Sequence, residues 1–550
     1  MKHHLLAGAA TVVLALLPAG FPLAAQPVIT AVQNNYSYIL PNLPNYGIAP
    51  GSLFVIIGTG LAKPGSQAYP LQNPTQTVPL PLTLNGASVS VTVDGVPGPD
   101  GATSVTTQPA LYYATPTAIA AVLPSTTPVG TSVTVTVTYN DTPSQPYDTI
   151  VAQSAFGFDT YYGTGSGMAA VTDNNPNDPN PLITPTNSAK PGETVVFWGS
   201  GVGPDIKNND RNPPVSIDQL TYITQLFIGG VEVPIVYQGR STQYPGVDQI
   251  DVTLPPNVPT GCAVSVTAVS GAGSSAVVSN TVTIPIAANG GACTDPLQPI
   301  SSTEAAALSG HTLVNFGSLT LAQITNTSGI SKTASAQFAS IPGASLFPYL
   351  SNTLPSLGSC VVYQQAPPAP TNPFQLEGLN PGTVDVTGPN GTEALSTVPS
   401  GPGLYTVALT LGFIPSTGGQ FTFVGQGGTV QAFNAPLAFP NPLNWTNEST
   451  AGAITRAQGL TVNWTGNDPD TYVQVAGSAT TVGVTVFFTC DALASAGTFT
   501  VPPAVLLALP AAGGGITFSS FTLPTSFSAT GLDFGFATSY ASVFESTTYQ

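Results

Sequence analysis

Along much of the chain, apolar and hydroxyl side chains alternate with period two. Val89, Val91 and Val93 are separated by Ser90 and Thr92, and Val133, Val135 and Val137 by Thr134 and Thr136. Successive side chains of a strand point to opposite faces, so this spacing sets valine against a core and hydroxyls toward water. Leu53 to Ile57 is instead a continuous apolar run between glycines, the pattern of a strand covered on both faces. Asp94-Gly95 and Gly229-Gly230 fall between strand-like segments, where a tight hairpin needs positive φ. Short strands punctuated in this way predict two-sheet sandwiches.

The pattern is duplicated. Pro50-Gly51, the apolar strand and Gly58-Thr59-Gly60-Leu61 return 141 residues later as Pro191-Gly192, Thr194 to Trp198 and Gly199-Ser200-Gly201-Val202. Val93-Asp94-Gly95-Val96-Pro97 returns as Ile228-Gly229-Gly230-Val231-Glu232-Val233-Pro234. Ile119 to Pro124 matches Ile250 to Pro255, and Gly130 matches Gly261, both at an offset of 131. Preserved order with drifting spacing is what a duplicated domain with loops of variable length produces.

These residues carry a resemblance. Pro-Gly, an apolar strand, Gly-x-Gly-Leu/Val, a Gly-Val turn closed by Pro, then Leu-Pro and a Gly-started Val/Thr strand resemble immunoglobulin-like domains of the IPT/TIG type. The match is closer to the bacterial "Solibacter uncharacterized C-terminal domain" family, whose members pair two such units. It covers about residues 28–287 and implies immunoglobulin-like sandwiches. It implies no activity, because such units serve many unrelated surface and binding proteins. The insertion Tyr69 to Thr83 and the Asn/Asp-rich stretch Asp173 to Asn180 depart from it.

Residues 295–550 read as further β structure. Strands are expected in His311 to Ile324, Val384 to Thr387, Leu404 to Leu411, Leu460 to Trp464, Tyr472 to Val475 and Val482 to Thr489, with one helical turn at Ala305 to Leu308. The Pro-rich stretch Phe433 to Pro442 reads as a separator before a final module, and Ala366 to Pro373 as an alternative break. The expected chain is all-β, with tandem immunoglobulin-like β-sandwiches: a signal peptide at 1–25, repeats at 28–152 and 153–287, a β-rich domain at 295–442 and a sandwich-like domain at 443–550.

The signal rests on Lys2, the apolar run Leu5 to Leu17, the breakers Pro18 and Gly20, and Ala24-Ala25 before a cut at Gln26. That run of 13 residues is too short for a membrane span, which needs about 20. Val501 to Ala512 is interrupted by Pro502, Pro503 and Pro510, and prolines between 342 and 524 argue against a transmembrane barrel. The mature chain is therefore expected outside the cell or at its surface, with no transmembrane segment.

Composition narrows the function. Against 25 acidic residues stand 8 basic ones, scattered, for a net charge of −17, which excludes nucleic acid as a partner. Cys262, Cys293, Cys360 and Cys490 are an even set in an exported chain, hence disulfides in one of three connectivities. Cys262–Cys293 closes the shortest loop, leaving Cys360–Cys490 by elimination.

Once the signal is removed His311 is the single histidine, and no Gly-x-Ser-x-Gly elbow exists, so no triad or multi-histidine metal centre is available. Gly199 to Gly203 resembles part of a dinucleotide loop, but Pro204 follows where a helix would have to start. Asp173, Asn175, Asn177 and Asp178 are the candidate oxygen ligands for calcium, although Asx residues among prolines also make ordinary turns, and Asp468-Pro469-Asp470 carries the same ambiguity. Glycoside hydrolysis needs two carboxylates, and Glu193, Glu232, Glu304, Glu377, Glu393, Glu448 and Glu545 are present, none in a motif. Tyr112-Tyr113, Tyr161-Tyr162 and Trp198 suit sugar stacking, with core packing the other use of Trp198, Trp445 and Trp464. No catalytic residue and no required cofactor emerge. The expected function is adhesion or ligand binding, of a glycan or protein, through loops at sandwich ends. An extracellular spacer and a carbohydrate-active enzyme are the alternatives.

Overall fold

The computed structural model describes residues 26–65, 67–68, 79–98, 101–175, 177–214, 217–271, 276–351, 354–365, 376–466 and 471–550. The signal peptide, the break at 366–373 and Asp468-Pro469-Asp470 lie outside these residues.

The protein is all-β and built of sandwiches. In the first, one sheet runs Val28–Asn34, Leu53–Thr59, Ala118–Val122, Ala110–Ala114, Gln67–Ala68, and the other centres on Gly130–Tyr139 paired with Ala87–Asp94. The alternation sets the register: Val89 faces Val137, Val91 faces Val135 and Val93 faces Val133, while Ser90 faces Thr136 and Thr92 faces Thr134. The valines meet Phe54, Ile56 and Ile119 of the opposite sheet in one core.

The second sandwich repeats the plan. Thr194–Ser200 pairs with Asp248–Thr253 as Leu53–Thr59 pairs with Ala118–Val122. Gly229 and Gly230, at φ 56° and 74°, form the expected two-residue turn between Ile223–Ile228 and Val231–Glu232. Asp94-Gly95 does not. Gly95 opens a longer loop, since Asp94 pairs with Ser104.

Leu53, Phe54, Val55 and Ile56 are all buried, whereas Ile57 at the strand's end is 38% exposed. Phe54 and Ile56 enter the sandwich core, while Leu53 joins Leu80, Ala110, Tyr112, Ala120 and Val122 in a cluster on the outer face. That outer face is covered because the second sandwich docks against it.

Buried polar contacts fix the docking. Asn34 Nδ2 donates to Ala155 O (3.0 Å) and Ser200 O (2.8 Å). Ser200 Oγ accepts from Leu53 N (2.8 Å) and donates to Gly246 O (2.6 Å). Ser125 N and Oγ both donate to the Asp210 carboxylate (2.7 and 2.6 Å). Beneath them lies the ion pair Arg240–Asp248, with side chains 5% and 0% exposed. Asp248 Oδ2 also accepts from Gly201 N (2.7 Å) and Val202 N (2.8 Å), and Arg240 donates to Gly203 O (2.6 Å). The Gly199–Gly203 segment is thus the seam between sandwiches, and no helix follows it.

Beyond residue 295 comes a short helix, Ser302–Ser309, longer than the expected turn. Ser301 and Glu304 form a reciprocal capping box, the start signal that makes it a helix. A fifteen-strand sheet follows, running from Cys360–Gln365 through Thr471–Thr481, Phe534–Tyr549, Leu313–Asn326 and Gly329–Pro342 to Phe433–Phe439. Its far end folds back until Ser539 Oγ donates to Ala438 O (2.7 Å). A three-stranded sheet of Asn444–Trp445, Leu460–Thr465 and Thr498–Val501 covers the other half.

Phe433–Phe439 is a strand rather than the separator its prolines suggest. It lies at the sheet's edge, where Pro436 needs no ladder donor on its open side. The cores do not divide at 443: one cluster joins Leu319 to Phe439 with Ala537 and Ala541, the other joins Leu443 to Tyr549 with Cys360, Ile39 and Leu43, and the hydrogen-bonded ladder runs through both. Trp445 and Trp464 are core residues packed on Phe518 at ring distances of 5.6 and 5.8 Å. Among the described residues no helix is long and apolar enough to cross a membrane.

Cys262 is bonded to Cys293, and Cys360 to Cys490 across directly paired strand positions. Next to the second bond Asp491 is fully buried, takes one hydrogen bond from Gln474 Nε2 (3.1 Å), and leaves Oδ2 unpartnered among the described residues. Burial pushes this carboxyl well above the usual range, and the nearby Asp295 charge adds to it. Being raised, the group stabilises fully only below its unfolded value of about 3.9, and the benefit is lost as pH climbs from there toward the folded value. Asp491→Asn is therefore expected to stabilise the protein at neutral pH by about 1 kcal/mol or more, since a tenfold change in proton affinity on folding corresponds to about 1.4 kcal/mol. Urea titrations should show that gain shrinking to nothing near the unfolded value. Destabilisation at neutral pH would mean that Asp491 is held ionised.

Candidate functional site

The docking of the two sandwiches leaves a cleft of about 930 Å³ between them. Four aromatic side chains line it: Tyr36 and Tyr112 from the first sandwich, Trp198 and Tyr244 from the second. Hydrogen bonds place three of them. Asn34 Oδ1 accepts from Tyr36 N (2.9 Å) and Ser37 N (3.2 Å), an Asx turn that swings Tyr36 off the end of its strand. Tyr112 donates its hydroxyl to Pro245 O, tying the first sandwich to the loop that carries Tyr244. Trp198 Nε1 donates to Thr172 Oγ1 (3.2 Å), which holds the indole half-buried against the neighbouring strand.

Three carboxylates share the cleft: Asp159, Asp173 and Asp178. Asp159 is positioned through its backbone, its N–H bonded to Trp198 O (2.8 Å) and its carbonyl accepting from Ala170 N (2.9 Å). Burial pushes its carboxyl up to about 6, against a smaller opposing effect of the Thr160 N–H. Burial likewise raises the Tyr36 and Tyr112 phenols far above their ordinary value. None of the described lining residues is Lys or Arg.

The calcium candidates divide. Asp173, Asn175 and Asp178 stand at this cleft, whereas Asn177 is exposed and does not line it. Their side chains make successive Asx turns: Asp173 Oδ1 accepts from Asn175 N (3.2 Å), Asn175 Oδ1 from Asn177 N (3.1 Å), and Asp178 Oδ1 from Asn180 N (2.7 Å). Asp173 is raised by burial and by sharing a hydrogen bond with Asp178. Among the described residues, no three His, Cys, Asp or Glu side chains gather as a metal centre.

The other singled-out groups lie elsewhere. None of the seven glutamates lines the cleft. Glu193 accepts from Lys190 N (2.9 Å), Glu304 caps its helix, and Glu393 accepts from Thr410 N (2.9 Å). Glu448 is raised by burial and by a hydrogen bond with Glu545. His311 is exposed in the bend before Leu313–Asn326. Tyr161 and Tyr162 pack edge to face at 4.9 Å, and Tyr162 lines a second cavity of about 720 Å³. That cavity's carboxylates are engaged, Asp295 with Ser356 Oγ, Glu304 with Ser301, and Asp533 with Asn315 N. It presents Phe347, Phe527 and Phe534 but little free polar capacity.

Sequence patterns marked Tyr112, Trp198, Asp173, Asn175 and Asp178, and folding brings these five together. They missed Tyr36, Asp159 and Tyr244, which sit in turns or beside short bridges and carry no periodic signal. The Asn34 turn before Tyr36 was the one local cue.

No family model and no curated protein matches the chain. Among solved structures it overlaps an endo-fucoidan hydrolase from glycoside hydrolase family 107 and a variant of that enzyme, each at 10% identity and a TM-score of 0.10. The overlap covers 67% of this chain and 43% of theirs, so the chain spans less than half their length. A superposition that loose carries no argument about fold or chemistry.

Proposed function

We propose that this is an exported, non-catalytic carbohydrate-binding protein whose site is the cleft between its first two sandwiches. The observation that carries this is the convergence of Tyr36, Tyr112, Trp198 and Tyr244 on one cleft whose two walls are fixed by buried polar contacts. Flat aromatic faces take up the C–H face of a sugar ring, while carboxylates and amides at the rim bond its hydroxyls. A preformed cleft avoids the cost of ordering side chains on binding. The two disulfides support export. In this proposal residues 28–287 are paired units of the IPT/TIG type, and no cofactor is needed. A pure spacer has no use for such a cleft.

Trp198→Ala is expected to weaken glycan capture about tenfold or more, as truncating a central aromatic anchor does. Glycan-array screening followed by calorimetry on the strongest hit would measure this. An array with no hit, or a hit that Trp198→Ala leaves unchanged, would remove the cleft from the function.

Asp159 favours one second reading, a carbohydrate-active enzyme, since a carboxyl held near 6 could act as a general acid. Release of reducing ends from a bound polysaccharide, abolished by Asp159→Asn, would establish that reading in place of simple binding.

A further inference from the structure

We propose that the cleft selects amine-bearing, positively charged sugars and turns away those carrying uronate or sulfate groups. This selection rests on the cleft being a sugar site, and it goes further by fixing the charge of the ligand. Three observations carry it. Asp159, Asp173 and Asp178 all face the cleft, and no described lining residue offers a balancing cation. Arg240, buried in the same seam, is consumed by Asp248 and by the Gly203 carbonyl. Tyr36, Tyr112, Trp198 and Tyr244 also line it, and their ring faces attract a cation as well as a sugar face.

An ammonium on the sugar supplies what the cleft lacks. It donates to the half-buried Asp159 carboxylate while its ring stacks on the adjacent Trp198. A uronate or sulfate group would instead meet the like charge of ionised Asp159 and of the Asp173–Asp178 pair in a partly desolvated space, where repulsion is screened least.

Titration of Asp159 adds a signature. The charged or titratable groups around it are Tyr36 and Tyr38 on the turn after the first strand, Asp173 and Asp178 in the cleft, and Asp248 deeper in, paired with Arg240. Ionised Asp159 is the form an ammonium prefers. Affinity should therefore rise as pH passes upward through about 6, with a proton released on binding.

The test is calorimetry on the full chain with three oligosaccharides of one length: a glucosamine oligomer, its N-acetylated counterpart and a uronate oligomer. The expected order is glucosamine first, by about tenfold or more over the N-acetylated oligomer, with no uronate binding. Asp159→Asn should erase the preference for the amine, bringing the glucosamine oligomer down to the affinity of its N-acetylated counterpart, whereas Trp198→Ala should weaken both and keep their order. Equal binding of the neutral or uronate oligomer, or a preference that survives Asp159→Asn, overturns the charge selection and leaves the sugar site standing. Binding of none of the three sugars, with or without capture of an oligolysine control, removes the sugar site as well.

Discussion

Asp248→Ala is expected to cost the paired sandwiches about 3–5 kcal/mol, the penalty for leaving one member of a buried ion pair uncompensated. Arg240 would stay buried without its hydrogen-bonded counterion, its charge opposed by the Gly203 carbonyl and the more distant Asp210 carboxylate, and Gly201 N and Val202 N would lose their shared acceptor. Val247 and Gln249, the chain neighbours of Asp248, line the cleft, so sugar capture should fall together with stability. Unfolding of a chain with several cores is not a single transition. Hydrogen exchange along Thr194–Ser200 therefore reports this unit better than a global melt. Combining Asp248→Leu with Arg240→Met should recover the charge penalty but not the two orphaned amides. A loss below about 1 kcal/mol in the single variant would mean that water reaches the pair.

Removing the Cys360–Cys490 bond, by Cys360→Ala with Cys490→Ala, should cost about 2–5 kcal/mol. The bond closes 130 residues of sequence, against 31 for Cys262–Cys293. In the chain-entropy account the longer loop is worth about 1 kcal/mol more. Its position adds to this. Cys360–Gln365 is an edge strand, paired among the described residues only with Val484–Leu493. Around it, Gln364 donates to Tyr38 O (2.7 Å) and accepts from Leu40 N (3.0 Å), and Ser359 Oγ accepts from Ser265 N (3.2 Å). The strand therefore joins both sandwiches to the large sheet. Proteolysis at residues 354–365 should accelerate in the double variant, and unchanged protection there would show that the ladder suffices without the bond.

Alternation was enough to place the first valine-rich strands and to reveal the duplication, because each side chain's face is set by its immediate neighbours. The full burial of Leu53 and Val55 was legible too, though not its cause, the docking of a second sandwich. The cleft was legible only as residue types. Its assembly depends on Asn34 meeting Ser200 and on Tyr112 meeting Pro245, contacts that no local period encodes. Asp159 reads as one more aspartate until burial and the absence of a cation among the described lining residues single it out. The edge strand Phe433–Phe439 was misread because proline signals a break until the position of a strand within its sheet is known.

The strand Phe534–Tyr549 lies between Gly513–Thr522, its antiparallel neighbour, and Leu313–Asn326, to which it is parallel with Phe316 opposite Phe534. The parallel partners are roughly 200 residues apart in sequence, so closing that loop costs entropy well before the contacts return it. Until then both flanking strands present bare edges, the template on which foreign chains pair. The longer the chain stays unfolded, the longer that exposure lasts. A product cut short before residue 534 would not be a slightly smaller protein, but one with an open seam down the middle of its widest surface.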